Sequence, residues 1–330
     1  MMKFDILELL NDEYPQHLSV DEEFFHEFMK DMPNGDIHIN NLHSLRFMED
    51  HHVEKELIKH LLRIVHQLGY DPSFEYFSAI TNNFTAWITD SGRYDAVIMV
   101  DDLLMSGLIE YYLTVLAWAN DFNNLENYEY CMLNLIHLLD IQCIKLSTGT
   151  VDYDEDKKWF QTIPGNILEI SCDCYWVSWC FMVLHEIAHL VLGHTKIDAK
   201  PEHEFEADEF AYEVIIKLIE EYGKGNDKFN DEFFSIFQKY TCFAPMMLLD
   251  FLRIIEIFKE LLYPHKKNLS KPKPESRINR LRDIGIDAFS ISEGSAVYAS
   301  YLDVLDEFVE QLIFKYLRGK LDILPSITPD

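Results

Sequence analysis

The chain has 330 residues, 48% of them hydrophobic, which is enough apolar material for one large or two modest folded domains. With 28 basic residues against 57 acidic ones the formal charge is −29, so a phosphate backbone would meet broad repulsion and nonspecific nucleic-acid binding is excluded. No stretch offers about 18 uncharged apolar residues in a row, so no membrane span is expected, and the opening "MMKFDILELLNDEYP" is too acidic for a secretory signal.

In chain order, residues 1 to about 70 read as short helices. The clearest is "HHVEKELIKHLLRIVHQLGY", with apolar positions at helical spacing and Gly69 near its end. Its histidines, His51, His52, His60 and His66, fit a solvated face better than a metal cluster. Next, "NFTAWITDSGRYDAVIMV" holds two runs rich in β-branched and aromatic residues around Asp90-Ser91-Gly92, a hairpin signal. Helical patterns return in "DDLLMSGLIEYYLTVLAWAN" and "ENYEYCMLNLIHLLDIQCIKL". After an acidic stretch, a helix is predicted from near Tyr175 to Leu192, with Gly193 as its C-terminal stop.

Pro201 suits the start of the next helix, "EFEADEFAYEVIIKLIEEYGKG". Further helices are predicted in "FAPMMLLDFLRIIEIFKELLY" and "SAVYASYLDVLDEFVEQLIFKYL". The six cysteines, Cys131, Cys143, Cys172, Cys174, Cys180 and Cys242, are dilute and sit mostly in apolar segments, as reduced thiols do. Cys172 and Cys174 do not form a CxxC pair, so a soluble cytoplasmic protein is expected.

The run "WCFMVLHEIAHLVLGH" carries the chemistry. Buried polar groups cost free energy without partners, so something must offset His185, Glu186 and His189 in an apolar helix. Residues four apart share a helix face, so His185 and His189 project side by side and both imidazoles can reach one ion at about 2.0–2.1 Å. Glu186 sits one residue along, where it can address a water without ligating. This is the HExxH arrangement of a zinc hydrolase, with one zinc ion per chain as the expected cofactor.

Catalytic zinc needs a third protein ligand and an open fourth position. The following helix offers "EFEAD", with Glu204 and Asp208 again four apart. Glu204 closes the ligand set, and Asp208 accepts a hydrogen bond from the far nitrogen of a ligand histidine. Asp198 is the second choice for the ligand. His203 lies on the connection and could also reach inward, while Glu206 points to another face. His194, five residues after His189, is one position short of a metzincin third histidine. Two core histidines bonded to backbone carbonyls are the plain alternative for His185 and His189, but they predict no ExxxD pair on the next helix.

"HEIAH" followed by "EFEAD" resembles the gluzincin metallopeptidases. "HEIAHLVLGH" and "EFEADEFA" are similar to the HtpX and CAAX prenyl protease group and to the soluble ImmA/IrrE-type peptidases. The soluble helical format is most like the phage-exclusion peptidases of the Lit type. The likeness spans about residues 80 to 283. It implies a mainly α fold with a small β-hairpin or sheet and a zincin-like core; outside it, residues 1–70 read as a helical extension to a peptidase domain over 71–330, with one continuous domain as the alternative.

The hairpin stretch resembles a substrate-aligning strand of that group, which brings in Asn83 and Trp87. "SKPKPESRINRL" resembles its HPxxxxRIxxL segment, which brings in Lys271 and Arg277 as candidate oxyanion or substrate contacts. Lys271 stands where that group has a histidine, and the group's membrane helices are missing.

These readings together predict a zinc-dependent endopeptidase acting on an intracellular protein or peptide. Glu186 is its general base, and its cellular setting is selective or triggered cleavage such as phage defence. The rivals are a regulatory or binding module with a structural or vestigial zinc site, and a metal-free helical scaffold.

Overall fold

The computed structural model describes residues 51–79, 87–89, 96–120, 131, 135, 165–196, 200–222, 235–262 and 274–289. The turn Asp90-Ser91-Gly92, Asn83, Asp198, Lys271 and the helix expected near the C-terminus lie outside them. The described residues are mainly helical. In order, they give α1 (His51–Gln67), β1 (Glu75–Ala79), β2 (Trp87–Thr89), β3 (Val97–Asp101), α2 (Asp102–Asn120), α3 (Gly165–Val191), α4 (Pro201–Tyr222), α5 (Ala244–Leu262) and α6 (Pro274–Phe289). A single 3-10 turn, His194–Lys196, stands between α3 and α4.

Two compact units divide the chain. The first takes Met1–Leu108, Leu146–Thr150 and Trp179–Asn226, and the second takes Ile109–Lys145, Val151–Ser178 and Asp227–Asp330. In the first unit, α1 buries Leu57, Leu61, Ile64 and Val65, the residues at i, i+4, i+7 and i+8, and leaves Arg63, His66 and Gln67 outside. Gly69 ends the helix in a left-handed conformation (φ 89°), and Tyr70 N–H then reaches back to Val65 O at 3.2 Å. α1 packs on α4, and the Tyr70 ring meets Phe210 edge-on with centroids 5.5 Å apart.

The sheet of this unit has the order β1-β3-β2. β1 runs parallel to β3 with Glu75 opposite Val97, and β2 runs antiparallel with Trp87 opposite Met99. On β3, Ile98 and Val100 are both fully buried, as the two-residue period of a strand with one face on the core requires. β1, "EYFSA", is too short and too polar to announce itself by pattern.

α3 begins at Gly165, ten residues before the expected start. Ser171, Cys172 and Asp173 break the apolar run but not the helix, because the Ser171 hydroxyl donates to Ile167 O one turn back at 2.8 Å. Every residue from Val177 to Ala188 is buried, the pattern of a helix that is apolar all round. By length and composition α3 would also pass for a membrane span, but 67% of its apolar stretch lies inside the fold.

In the second unit, α5 packs on α6 and Tyr111 stacks on Phe251 at 5.2 Å. The Tyr112 and Ser178 hydroxyls bond to each other and each lies 3.0 Å from Ala244 O, which accepts from this pair and anchors the first turn of α5.

Candidate metal centre

The second half of α3 and the first two turns of α4 build the centre, entirely within the first unit. α4 starts at Pro201 as its sequence predicts, and His203 caps it. Lys200 N–H donates to His203 Nδ1 at 3.4 Å, while His203 N–H donates to Lys200 O at 3.1 Å. Ala207, Phe210, Ala211, Val214, Ile215 and Leu218 form its buried stripe, and Glu206, Glu213 and Glu220, seven apart, face solvent. Between these faces lie Glu204, half-buried, and Asp208, almost fully buried. Glu202 and Glu204 also occupy the first turn, where the helix dipole favours carboxylates.

Donor atoms of His185, His189 and Glu204 all lie within 4.8 Å of one another, the group among the described residues placed to hold an ion. His185 Nε2 is 3.1 Å from His189 Nε2 and 3.5 Å from Glu204 Oε2. A tetrahedral zinc site with bonds of about 2.0–2.1 Å separates its donors by roughly 3.3 Å, so both spacings fit. Glu186, the next residue on α3, is buried (6% exposed) and displaced by about 100° around the helix from His185.

Hydrogen bonds on the far side of each ring test the fit further. His185 Nδ1 is 2.9 Å from Asp208 Oδ1, and a carboxylate can only accept, so Nδ1 carries the proton. That leaves a lone pair on His185 Nε2. His194 Nε2 is likewise 2.9 Å from Glu206 Oε2 and donates to it.

Burial is the main cause that holds His194 below the usual histidine range, with His203 and His185 adding to the effect and Glu206 opposing it. As a neutral ring it offers a lone pair at Nδ1, which faces His189 Nδ1 at 3.0 Å. His189 therefore donates from Nδ1 and also presents a lone pair at Nε2. Two lone pairs 3.1 Å apart, beside a carboxylate oxygen, repel unless a cation sits among them. The donor set suits zinc.

Residues 155–281 match the Peptidase U49 family model. The matched segment covers less than half of the chain but contains the whole centre, and it supports a peptidase with a protein or peptide substrate. A search of curated proteins and one of solved structures returned no match.

Of the other expected site residues, Trp87 opens the edge strand β2 in the first unit, and Arg277 lies half-buried on α6 in the second. Asn83 and Lys271 fall outside the described residues, as does Asp198, the second choice for the third ligand.

Among the described residues the metal group contains no cysteine. Cys172, Cys174, Cys180 and Cys242 form no disulfide, and burial pushes the Cys242 thiol up to about 11, away from the thiolate a metal would need. Sequence reasoning missed the pair His194–Glu206, having weighed His194 only as a rival ligand. The available signal was Gly193, whose left-handed backbone (φ 76°) turns the chain out of helical register and folds His194 back onto His189.

Proposed function

We propose that this chain is a zinc-dependent endopeptidase that cleaves an intracellular protein, with His185, His189 and Glu204 as the metal ligands. The observation that carries the reading is the convergence of two imidazole lone pairs and one carboxylate oxygen, with His185 held from behind by Asp208. The Peptidase U49 match over the same residues supports it.

Zinc held there would supply Lewis acidity to the scissile carbonyl and to the attacking water. Glu186 takes the proton of that water on its carboxylate and delivers it to the leaving amine. Asp208 holds His185 in the ligating tautomer and orients its ring. Among the described residues β2 pairs with β3 alone, so an extended substrate can add along its other edge, with Trp87 at the start of the strand.

A reducing cytoplasmic setting suits the cysteines that form no disulfide. An active endopeptidase in that setting must be selective or triggered, and the resemblance to phage-exclusion peptidases suggests such a role.

The test compares wild type with Glu186→Gln in cells and as purified protein. The expected result is equal zinc content with new protein termini only in cells expressing wild type. Equal zinc with identical termini would turn the reading into a regulatory module, and a protein free of zinc would sink it.

A further inference from the structure

Beyond the three ligands and Asp208, the centre contains a chain of hydrogen bonds with no place in the reading above. It runs from Glu206 Oε2 to His194 Nε2 at 2.9 Å, and from His194 Nδ1 to His189 Nδ1 at 3.0 Å. His194 is buried (8% exposed) although it lies beyond the end of α3, and the buried His203 ring stacks on it with centroids 4.2 Å apart and planes 7° from parallel. His203 is itself fixed by the N–H of Lys200. The His194 ring is therefore held in plane by a stacked neighbour, in position by the turn at Gly193, and in proton placement by an acid.

The logic is directional. A carboxylate accepts only, so Glu206 draws the His194 proton to Nε2 and leaves Nδ1 as an acceptor. An acceptor there draws the His189 proton to Nδ1, and the lone pair of His189 falls on Nε2, the atom that faces His185 Nε2. Asp208 does the same for His185 in one step. The two ligand histidines thus receive the same instruction by different routes, one from a buried acid directly and the other from an exposed acid through a second imidazole.

We infer that His194 and Glu206 are positioning residues that hold His189 in the tautomer presenting Nε2 to the metal. The inference rests on the zinc reading of the site, and it adds two residues to the machinery outside the HExxH and ExxxD patterns.

The test uses full-length protein and two readouts, the zinc dissociation constant by chelator competition and the His189 tautomer by nitrogen-15 histidine spectra of metal-free protein at mildly alkaline pH. Wild type should show the Nδ1–H form at His189. His194→Ala should weaken zinc by about 10–100-fold and shift His189 towards Nε2–H. His194→Asn, whose amide oxygen can accept from His189 Nδ1, should restore most of the affinity and the Nδ1–H form.

Glu206 has an exposed side chain, so its substitutions test the idea without disturbing the core. Glu206→Gln can still accept and should lose little. Glu206→Lys donates instead, reverses the proton order along the chain, and should weaken zinc as much as His194→Ala. Glu213→Lys makes the same charge change two turns along α4 and should leave affinity unchanged. Equal affinity in wild type, His194→Ala and Glu206→Lys, or an Nε2–H form of His189 in wild type, would overturn the inference. Should wild type bind no zinc, the peptidase proposal falls, and the tautomer spectra alone still decide whether His194 sets the state of His189.

Discussion

Two long apolar helices each bury charged or ionisable groups, and they do so in opposite ways. On α5, Asp250 and Arg253 lie one turn apart, both almost fully buried, with Oδ1 and Nη2 3.0 Å from each other. Acid meets base, and the charge is balanced inside the helix. On α3, His185 and His189 also lie one turn apart, but their facing atoms are two lone pairs, and α4 adds a third electron donor, Glu204. Nothing of opposite sign is supplied from within that set. A buried pair that cancels itself is explained by structure, whereas a set of one polarity is what a bound cation would balance.

The comparison breaks most sharply at Glu186. Glu186→Gln should lower peptide cleavage by about 10²–10⁴-fold while zinc content, read by elemental analysis, stays at the wild-type level. A variant that keeps its activity would remove the base from the mechanism.

The α5 pair should respond in stability and not in metal. Arg253→Met alone leaves the Asp250 charge without its guanidinium and should cost about 3–5 kcal/mol in denaturant unfolding. Replacing both, Asp250→Leu with Arg253→Met, should recover most of that loss. A zinc affinity that moved with either variant would undo the contrast between the two helices.

Asp208→Asn tests the other direction. Its amide can still offer an oxygen to His185 Nδ1–H, but the charge is gone, and zinc affinity should fall by roughly 10-fold, towards the low end for partners that orient metal ligands. Isothermal titration would measure it. An effect of comparable size is expected at Gly193, where an alanine must adopt the left-handed conformation at a cost of about 1–2 kcal/mol. A thermal melt would show that loss, with zinc affinity falling alongside it because His194 depends on the same turn.

What was legible in the sequence was whatever obeys a helical period. His185 and His189 share a face because they are four apart, and Glu204 and Asp208 repeat the spacing on α4, so the structure brings together residues that the pattern had already selected. The pairing of His194 with His189 was not legible, because a left-handed residue between them cancels the register from which a contact would be inferred. β1 escaped for a related reason. Its partner β3 comes after β2 in the chain yet pairs with β1 directly and in parallel, and a parallel pairing leaves no local turn signal to read. The early start of α3 was hidden by polar residues that satisfy themselves inside the helix, Ser171 above all.

Gly193 and Pro201 bracket a connection so short that His185 and its acid, Asp208, are only 23 positions apart along the chain. Bringing two points that near in sequence into register costs little chain entropy, and a longer separation would add only slowly to it. Assembly of the ion-holding surface is therefore a local event, one helical hairpin closing on itself. An emerging polypeptide needs just that much of its length to have the donor atoms of His185, His189 and Glu204 within reach of one another.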